Sequence, residues 1–339
     1  GDGGDFALQL SIETLSPLLV PHRITGNVVE GRDFIPGNVL LPHVTTCLQE
    51  ICPQEHILAA VMNGELCVSH AFPALFEQKG GAKAEKKGKP AETAEARRSL
   101  PVPTSFFTEK GAEGDSAQFF NRLFFQPAEE KGAKQYKGAR SGWFAPDGKD
   151  HAPLFGDARD LKILRTHNSV ADALQRPDES VGGVFSYEAM RQGATFFSEV
   201  RICGTFAKNL REALQQKGKG LEILSRITAL GTSRKDDYGL VRISARMPEK
   251  CPVREVPLHE KNILVVFLES DVLLRNEALA LSGHPDLLRR ALATQLGVEL
   301  EWREKAGVLS TCCRFERVDS WHSGWALPRP SLVGVQKGG

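Results

Sequence analysis

The stretch from Ala229 to Ile243 constrains the fold of this chain more than any other part of its sequence. It reads ALGTSRKDDYGLVRI and places a polar loop between Gly231 and Gly239, directly before an alternating segment that starts at Leu240. Glycine adopts backbone angles that other residues avoid, so this pattern is typical of the connection in a β-hairpin. The stretch therefore predicts a glycine-bounded loop that leads into a strand from Leu240.

The same loop has the composition of a nucleic-acid contact. Backbone N–H groups next to glycine can approach a phosphate closely, two basic side chains add positive charge, and a tyrosine offers a face for stacking. A plain hairpin remains the alternative reading of this pattern. The candidate RNA-binding residues of the loop are Gly231, Thr232, Ser233, Arg234, Lys235, Tyr238 and Gly239.

Length and charge bound the possible functions. The 339 residues, 41% of them hydrophobic, are enough for two modest domains or one elaborated domain. The net charge is only +1, from 43 basic and 42 acidic side chains. A nucleic-acid surface therefore requires local segregation of charge, because overall basicity does not provide it.

Cysteine usage and hydropathy favour a cytoplasmic protein that does not enter a membrane. The seven cysteines have no regular pairing, and no apolar run reaches the length of about 18 residues that a membrane span needs. The first five residues lack the features of a signal peptide. A zinc site at Cys47, Cys52, Cys67 and His70 is disfavoured by the ligand spacing, so we expect no metal and no cofactor.

Periodicity predicts an α+β fold with antiparallel sheets. Apolar residues alternate from Phe6 to Ile12, which predicts a first strand, and a Pro-Gly turn at Pro36 leads into a helix that Asn38 would cap, with Pro42 in its first turn. The later predicted elements are a short helix over 185–190, a strand over 195–204, helices over 210–214 and 221–230, a buried strand over 263–268, and a helix over 286–296 that ends at Gly297.

A polar, low-complexity segment interrupts this pattern. Residues 78–98 read QKGGAKAEKKGKPAETAEARR and contain almost no large apolar side chain. Such a segment cannot offset its ordering entropy by burial, so it predicts a mobile insertion.

Two residues are weak candidates for catalysis. His167 would act as a general acid or base on RNA, and Asp33 would hold a metal ion for phosphodiester cleavage. A histidine that bonds backbone or phosphate and a carboxylate that caps a turn explain them equally well. The sequence contains no P-loop, no His-Glu-x-x-His and no Gly-x-Ser-x-Gly motif.

Basic and aromatic residues outside the glycine-bounded loop extend the candidate RNA-binding surface. Arginine with aromatic residues on loops suits backbone contact and base stacking on single-stranded RNA, although solvated loops carry such residues routinely. These further candidates are Arg23, Lys110, His167, Arg176, Trp325 and Arg329.

Three short motifs are Ile35-Pro36-Gly37, Val184-Phe185-Ser186-Tyr187-Glu188 with Phe196 after it, and Leu230 to Gly239, and they resemble the RAMP superfamily of CRISPR-associated proteins. Three others, Pro101-Val102-Pro103-Thr104-Ser105, Leu268 to Arg275, and Trp321 to Pro330, look like the RAMP subunit peculiar to subtype D of type III effector complexes. The resemblance runs in order from about Phe6 to Pro330.

The resemblance implies ferredoxin-like (RRM-like) modules in which a glycine-rich loop contacts CRISPR RNA. We expect one module over 1–165, with the insertion near 78–98, and a second over 166–339, with the glycine-rich loop at 230–239. The family continues its Ile-Pro-Gly motif with Leu-Arg-Gly, whereas Leu40-Leu41-Pro42 follows here. The helix start therefore lacks the family's arginine, and Asn38 and His43 are the nearest candidates for a phosphate contact.

The function implied by the resemblance is structural. The chain would grip the 5′ repeat-derived tag of the crRNA and assemble with other RAMP subunits and with the large polymerase-like subunit in antiviral defence. Target RNA is a further candidate partner. The alternatives are an endoribonuclease that processes precursor crRNA or cleaves target RNA, and a protein scaffold with little RNA contact. The family's closing strand is incomplete before Gly339, which suggests a truncated C-terminus.

Overall fold

The computed structural model divides into two compact units, each built from two segments of the chain. The first unit comprises Gly1–Ser99 and Trp143–Arg254, and the second comprises Leu100–Gly142 and Glu255–Gly339. The residues that the structure describes are 5–76, 96–110, 119–124, 135–139, 142–146, 154–168, 183–234, 237–247, 263–304, 308–319, 321–322, 324–325 and 327–339.

The described residues form a mixed α+β structure in which strands outnumber helices. The helices are α1 (Gly37–Leu48), α2 (Gln54–Met62), α3 (Gly204–Lys217) and α4 (Pro285–Leu296). The strands are β1 (Phe6–Thr14), β2 (Pro21–Thr25), β3 (Val28–Gly31), β4 (Leu66–Val68), β5 (Phe72–Phe76), β6 (Ala96–Arg98), β7 (Leu100–Pro101), β8 (Phe106–Glu109), β9 (Phe120–Asn121), β10 (Tyr136–Gly138), β11 (Trp143–Ala145), β12 (Leu154–Gly156), β13 (Lys162–Asn168), β14 (Val184–Met190), β15 (Thr195–Ile202), β16 (Arg226–Ala229), β17 (Leu240–Arg246), β18 (Leu274–Arg275), β19 (Leu281–Ser282), β20 (Phe315–Val318), β21 (Trp321–His322), β22 (Leu327–Pro328) and β23 (Leu332–Val335).

The first unit is organised around an antiparallel sheet with β1 at its centre. The strand order is β16-β17-β1-β15-β5-β6, and β4 also pairs with β15. The predicted alternation of β1 is confirmed, since Leu8, Leu10 and Ile12 are buried and the residues between them are only partly buried. One face of the sheet is therefore apolar and forms the base of a core.

Helices α1 and α3 supply the other side of this core. Leu40, Val44 and Leu48 of α1 and Phe206 and Leu210 of α3 belong to the same buried cluster as the apolar residues of β1. Their spacing of four residues places them on one face of each helix. Helix α3 ends where Gly218 takes the left-handed conformation, at φ 58°.

A second sheet of the first unit has the order β13-β14-β3-β2. Strand β14 pairs antiparallel with β13 and parallel with β3. The predicted helix over 185–190 is therefore wrong, because Val184–Met190 is a strand with a neighbour on each side. Its run of aromatic and β-branched residues suits that position.

Two further predictions of secondary structure are corrected. The segment 221–230 is a short 3₁₀ turn over Leu221–Leu224 followed by strand β16, which pairs along its length with β17. The segment 263–268 forms no strand among the described residues, and Val265 is 51% exposed. There, backbone hydrogen bonds join Leu268 to Gly338 and Gly339.

The second unit contains small antiparallel sheets and one amphipathic helix. Strands β8, β9 and β10 form one sheet, β18 pairs with β19, β20 with β23, and β21 with β22. The predicted helix over 286–296 is confirmed as α4, and Gly297 ends it at φ 66°. No residue of α4 is buried. No helix among the described residues is long and apolar enough to span a membrane.

The predicted insertion near 78–98 lies outside the described residues except at its end. Ala96–Arg98 form strand β6, which pairs with β5, and Arg98 contacts Glu199 across the sheet at 3.5 Å. The domain boundary predicted after residue 165 falls inside strand β13, which belongs to the first unit.

Candidate nucleic-acid interface

The glycine loop, defined as Leu230–Gly239, connects β16 to β17 as the hairpin pattern predicts. The strands pair up to Ala229 and Leu240, which face each other across the start of the loop. Lys235 and Asp236 lie outside the described residues. The loop sits on the segment that follows β1, because the N–H groups of Thr232 and Gly239 donate to the carbonyl oxygens of Leu19 and Pro17, at 3.0 and 2.8 Å.

The two glycines serve this close backbone contact. Gly231 and Gly239 have φ angles of +73° and +85°, which L side chains rarely adopt. A Cβ atom on Gly231 would lie 2.3 Å from the carbonyl oxygen of Leu19, and one on Gly239 would lie 2.2 Å from that of Leu230. The expectation that the glycines mainly admit a phosphate is thus corrected for Gly239, whose N–H is already bonded and which is buried.

Tyr238 fixes the end of the loop from inside the fold. Its side chain is 2% exposed, and its hydroxyl lies 2.7 Å from Nε2 of His167 on β13. Its ring meets Tyr187 edge-on, with centroids 5.8 Å apart. A ring buried in this way does not offer the stacking face that the sequence suggested, so Tyr238 and His167 hold the loop in place.

Two exposed arginines lie among the described residues of this site. Arg234 is exposed, and its Nε donates to the carbonyl oxygen of Gly231 at 3.0 Å. Arg165 on β13 is also exposed, and its guanidinium carbon lies 5.6 Å from the centroid of the Tyr238 ring. Within the described ranges, neither guanidinium has a carboxylate partner.

Sequence reasoning missed Arg165, although a signal for it was present. Arg165 and His167 are two residues apart, and alternate residues of a strand project to the same face. They lie opposite Tyr187 and Phe185 on the paired strand β14. Because the sequence predicts a helix over 185–190, it does not indicate that Phe185 and Tyr187 lie on the same face.

The Pro-Gly turn, Ile35-Pro36-Gly37, places its polar groups inside the protein. Ile35 forms an isolated bridge with Ala71, and the N–H of Gly37 donates to Nδ1 of His70 at 3.0 Å. A Cβ on Gly37 would lie 2.2 Å from the carbonyl oxygen of Val68. The glycine is therefore needed for packing of the helix start against β4.

The candidates at the start of α1 do not form a phosphate site. His43 is buried, its Nε2 lies 3.0 Å from the carbonyl oxygen of Leu224, and burial lowers the pKa of its imidazole. Asn38 is exposed but does not cap the helix, which begins at Gly37 after Pro36 with no side-chain cap. Pro42 lies in the second turn of α1, not the first.

The remaining candidates are spread over both units. Arg23 on β2 is paired with Glu30 at 2.5 Å, and Glu30 also accepts from Thr25. Lys110, Trp325 and Arg329 belong to the second unit and are exposed. Arg176 lies outside the described residues.

The catalytic candidates are not brought together. Asp33 precedes the Pro-Gly turn, whereas His167 is bonded to Tyr238 at the glycine loop. Over the described part of the chain, no three His, Cys, Asp or Glu side chains are grouped so that they could hold a metal ion. Cys47 and Cys52, considered for zinc, are both buried.

No family model matches this chain, and no curated protein matches it. Solved structures similar to it include a chain of the Type III-B Cmr-beta complex bound to cognate target RNA, at 12% identity over 71% of this chain and 97% of that chain, with a TM-score of 0.38. A chain of Type III-B Cmr-beta bound to cognate target RNA and AMPPnP gives 9% identity, coverages of 97% and 84%, and a TM-score of 0.44. Cmr4 (Cas7) of Pyrococcus furiosus is 11% identical over 71% of this chain and 100% of that chain, with a TM-score of 0.29. At TM-scores below 0.5, these similarities do not decide the function.

Proposed function

We propose that this chain is a RAMP-type subunit of a CRISPR effector complex and binds RNA through the backbone phosphates. The observation that carries the proposal is Arg234, an exposed cation without a carboxylate partner among the described residues, on a loop anchored by backbone hydrogen bonds to Leu19 and Pro17. An anchored loop loses little conformational freedom on binding, and an unneutralised guanidinium favours an anionic ligand.

The order of elements in the first unit supports a ferredoxin-like module. With the elements inserted between them left aside, β1, α1, β4, β15, α3 and β17 have the chain order β-α-β-β-α-β. In the sheet, β1 and β15 are central neighbours, with β17 beside β1 and β4 beside β15. RNA-recognition modules with a four-stranded sheet have this arrangement of elements.

The finer proposal concerns place and ligand. The motifs at 101–105, 268–275 and 321–330 resemble those of the RAMP subunit specific to subtype D of type III complexes. On that basis, the ligand is the 5′ repeat-derived tag of the crRNA, and the protein partners are other RAMP subunits and the large polymerase-like subunit. The role is to set the register of the guide.

A binding and cleavage assay tests this function. The full chain is mixed with labelled single-stranded RNA that ends in a repeat-derived tag, with and without EDTA, and both complex and products are measured. We expect a salt-sensitive complex and intact RNA. Cleavage without metal would instead indicate an endoribonuclease, with His167 as the first residue to substitute, and metal-dependent cleavage would direct attention to Asp33. Absence of any complex would contradict the proposal and favour a protein scaffold.

A further inference from the structure

Arg165 occupies a prepared position beside the glycine loop. Its guanidinium lies over the Tyr238 ring at 5.6 Å, within the range of a cation–π contact. The ring beneath it is 2% exposed and is fixed by the hydroxyl contact with His167 and by the edge-on contact with Tyr187. The guanidinium therefore stacks on a ring whose position is fixed by neighbouring side chains.

Arg165 differs in its charge balance from those exposed arginines of the same unit that face a carboxylate. Within the described ranges, Arg165 contacts only the Tyr238 ring. The exposed arginines that are neutralised are Arg23 by Glu30, Arg159 by Asp157, and Arg242 by Glu13. The N–H groups of Arg165 are thus left to solvent or to a ligand that supplies acceptors.

We propose that Arg165 binds a backbone phosphate of the RNA held at the glycine loop, and that Tyr238 and His167 position it. This inference rests on the proposed function. A guanidinium matches the geometry of a phosphate and can donate two parallel hydrogen bonds to it. The stacked ring holds the side chain before the ligand arrives, so less rotamer entropy is lost on binding.

The contacts among Arg165, Tyr238 and His167 indicate a different role for each residue. Arg165 contacts the ligand, whereas Tyr238 supports the guanidinium and His167 orients the Tyr238 hydroxyl. His167 is thereby a positioning residue of an RNA-binding site, not an acid or base in cleavage. Substitution of Arg165 should change the electrostatics of binding, and substitution of the Tyr238 hydroxyl should not.

The test measures the affinity of the full chain for labelled single-stranded RNA over a range of salt concentrations. Arg165→Ala should weaken binding about fivefold and make the slope of log K against log salt shallower by about 0.7, the loss of one phosphate contact to a single strand. Arg165→Lys should keep the slope and lose part of the affinity. Arg159→Ala, which removes an exposed arginine neutralised by Asp157, is the matched control and should bind as the unaltered chain does.

A second pair of variants tests the positioning. Tyr238→Phe keeps the ring and removes the hydroxyl beside His167, so it should weaken binding about twofold with an unchanged salt slope. In an Arg165→Ala background the same change should have no further effect on affinity. An additional loss there would show that Tyr238 does not act through Arg165.

The outcomes separate this inference from the function on which it rests. If the unaltered chain binds RNA and Arg234→Ala weakens it, but Arg165→Ala leaves both affinity and slope unchanged, the role of Arg165 is refuted and the proposed function stands. If the unaltered chain does not bind RNA at any salt concentration, the proposed function fails, and the role of Arg165 fails with it.

Discussion

The glycine loop and the Pro-Gly turn use glycine in the same way but leave different groups at the surface. At each, a Cβ would come within 2.3 Å of a carbonyl oxygen, that of Leu19 for Gly231 and that of Val68 for Gly37. At the turn, the first helical N–H is bonded to His70 and no charged group is presented, whereas the loop carries Arg234 outward. Glycine marks a close backbone approach in both motifs, and the adjacent charge decides which of them can meet an anion.

The largest expected effect is on stability at the Pro-Gly turn. Gly37→Ala places a methyl group 2.2 Å from a backbone oxygen that cannot move aside without shifting β4, so it should lower the free energy of unfolding by about 3 kcal/mol. Denaturant-induced unfolding measures this change in the free energy of unfolding. Gly64→Ala is the control, because nothing lies within 4 Å of its Cβ and only its φ of +73° is strained, at a cost of about 1 kcal/mol. Equal effects of the two variants would show that the turn is not closely packed.

A comparable substitution in the glycine loop should affect both stability and binding. Gly231→Ala combines a strained φ of +73° with the clash at Leu19, but a loop can shift to relieve part of that clash, so we expect a loss of about 2 kcal/mol in unfolding free energy. Because the loop must shift, RNA affinity should fall as well, whereas Gly37→Ala should bind normally under conditions where it is folded. Gly231→Ala with full affinity would contradict the loop as the binding element.

The buried histidine near the turn should make stability depend on pH. Burial lowers the pKa of folded His43 below its ordinary value of 6.5, so the unfolded chain takes up a proton that the folded chain does not. Stability should therefore fall as the pH drops below about 6.5, by at most about 1.4 kcal/mol per pH unit, until the lowered folded pKa is reached. His43→Gln should reduce this dependence, and His56→Gln, which alters an exposed histidine, should not. An unchanged pH profile in His43→Gln would show that His43 is charged or solvated in the fold.

The smallest effect is expected at Arg23, a candidate from the sequence that the structure pairs with Glu30. Both groups lie at the surface, where solvent screens the ion pair, so Arg23→Ala should leave stability almost unchanged and change RNA affinity by less than about twofold. RNA affinity is measured over a range of salt concentrations, as described for Arg165→Ala. A tenfold loss of affinity would place Arg23 in the path of the RNA and extend the interface to β2.

Local sequence patterns correctly predicted the elements whose pairing partner is near in sequence or whose hydrophobic periodicity extends over many residues. The alternation of β1, the helix α4 with its stop at Gly297, and the hairpin around the glycine loop are confirmed. The strand β14 was taken for a helix, because its pairing with β13 and β3 depends on residues distant in sequence. Tertiary pairing overrides local preference in such segments.

The site was predicted only in part, because some of its contacts join residues that are far apart in sequence. Arg234 could be identified from the loop sequence, but the burial of Tyr238 depends on β13 and β14, which lie far from it in sequence. The sequence also could not show that, among the described residues, Arg23 has a carboxylate partner and Arg165 has none, since the carboxylates reach their partners through the fold. Which arginine is left unpaired is a property of the folded structure.

The most direct test of the central claim is the salt dependence of RNA binding by Arg234→Ala. Association of the full chain with a labelled single-stranded RNA is measured at several salt concentrations, beside the unaltered chain and Arg317→Ala, whose arginine is paired with Asp319 at 2.9 Å. We expect Arg234→Ala to bind more weakly, with a slope of log K against log salt that is shallower by about 0.7, and Arg317→Ala to match the unaltered chain. Identical affinity and slope in all three proteins would contradict the claim that the glycine loop binds the RNA backbone.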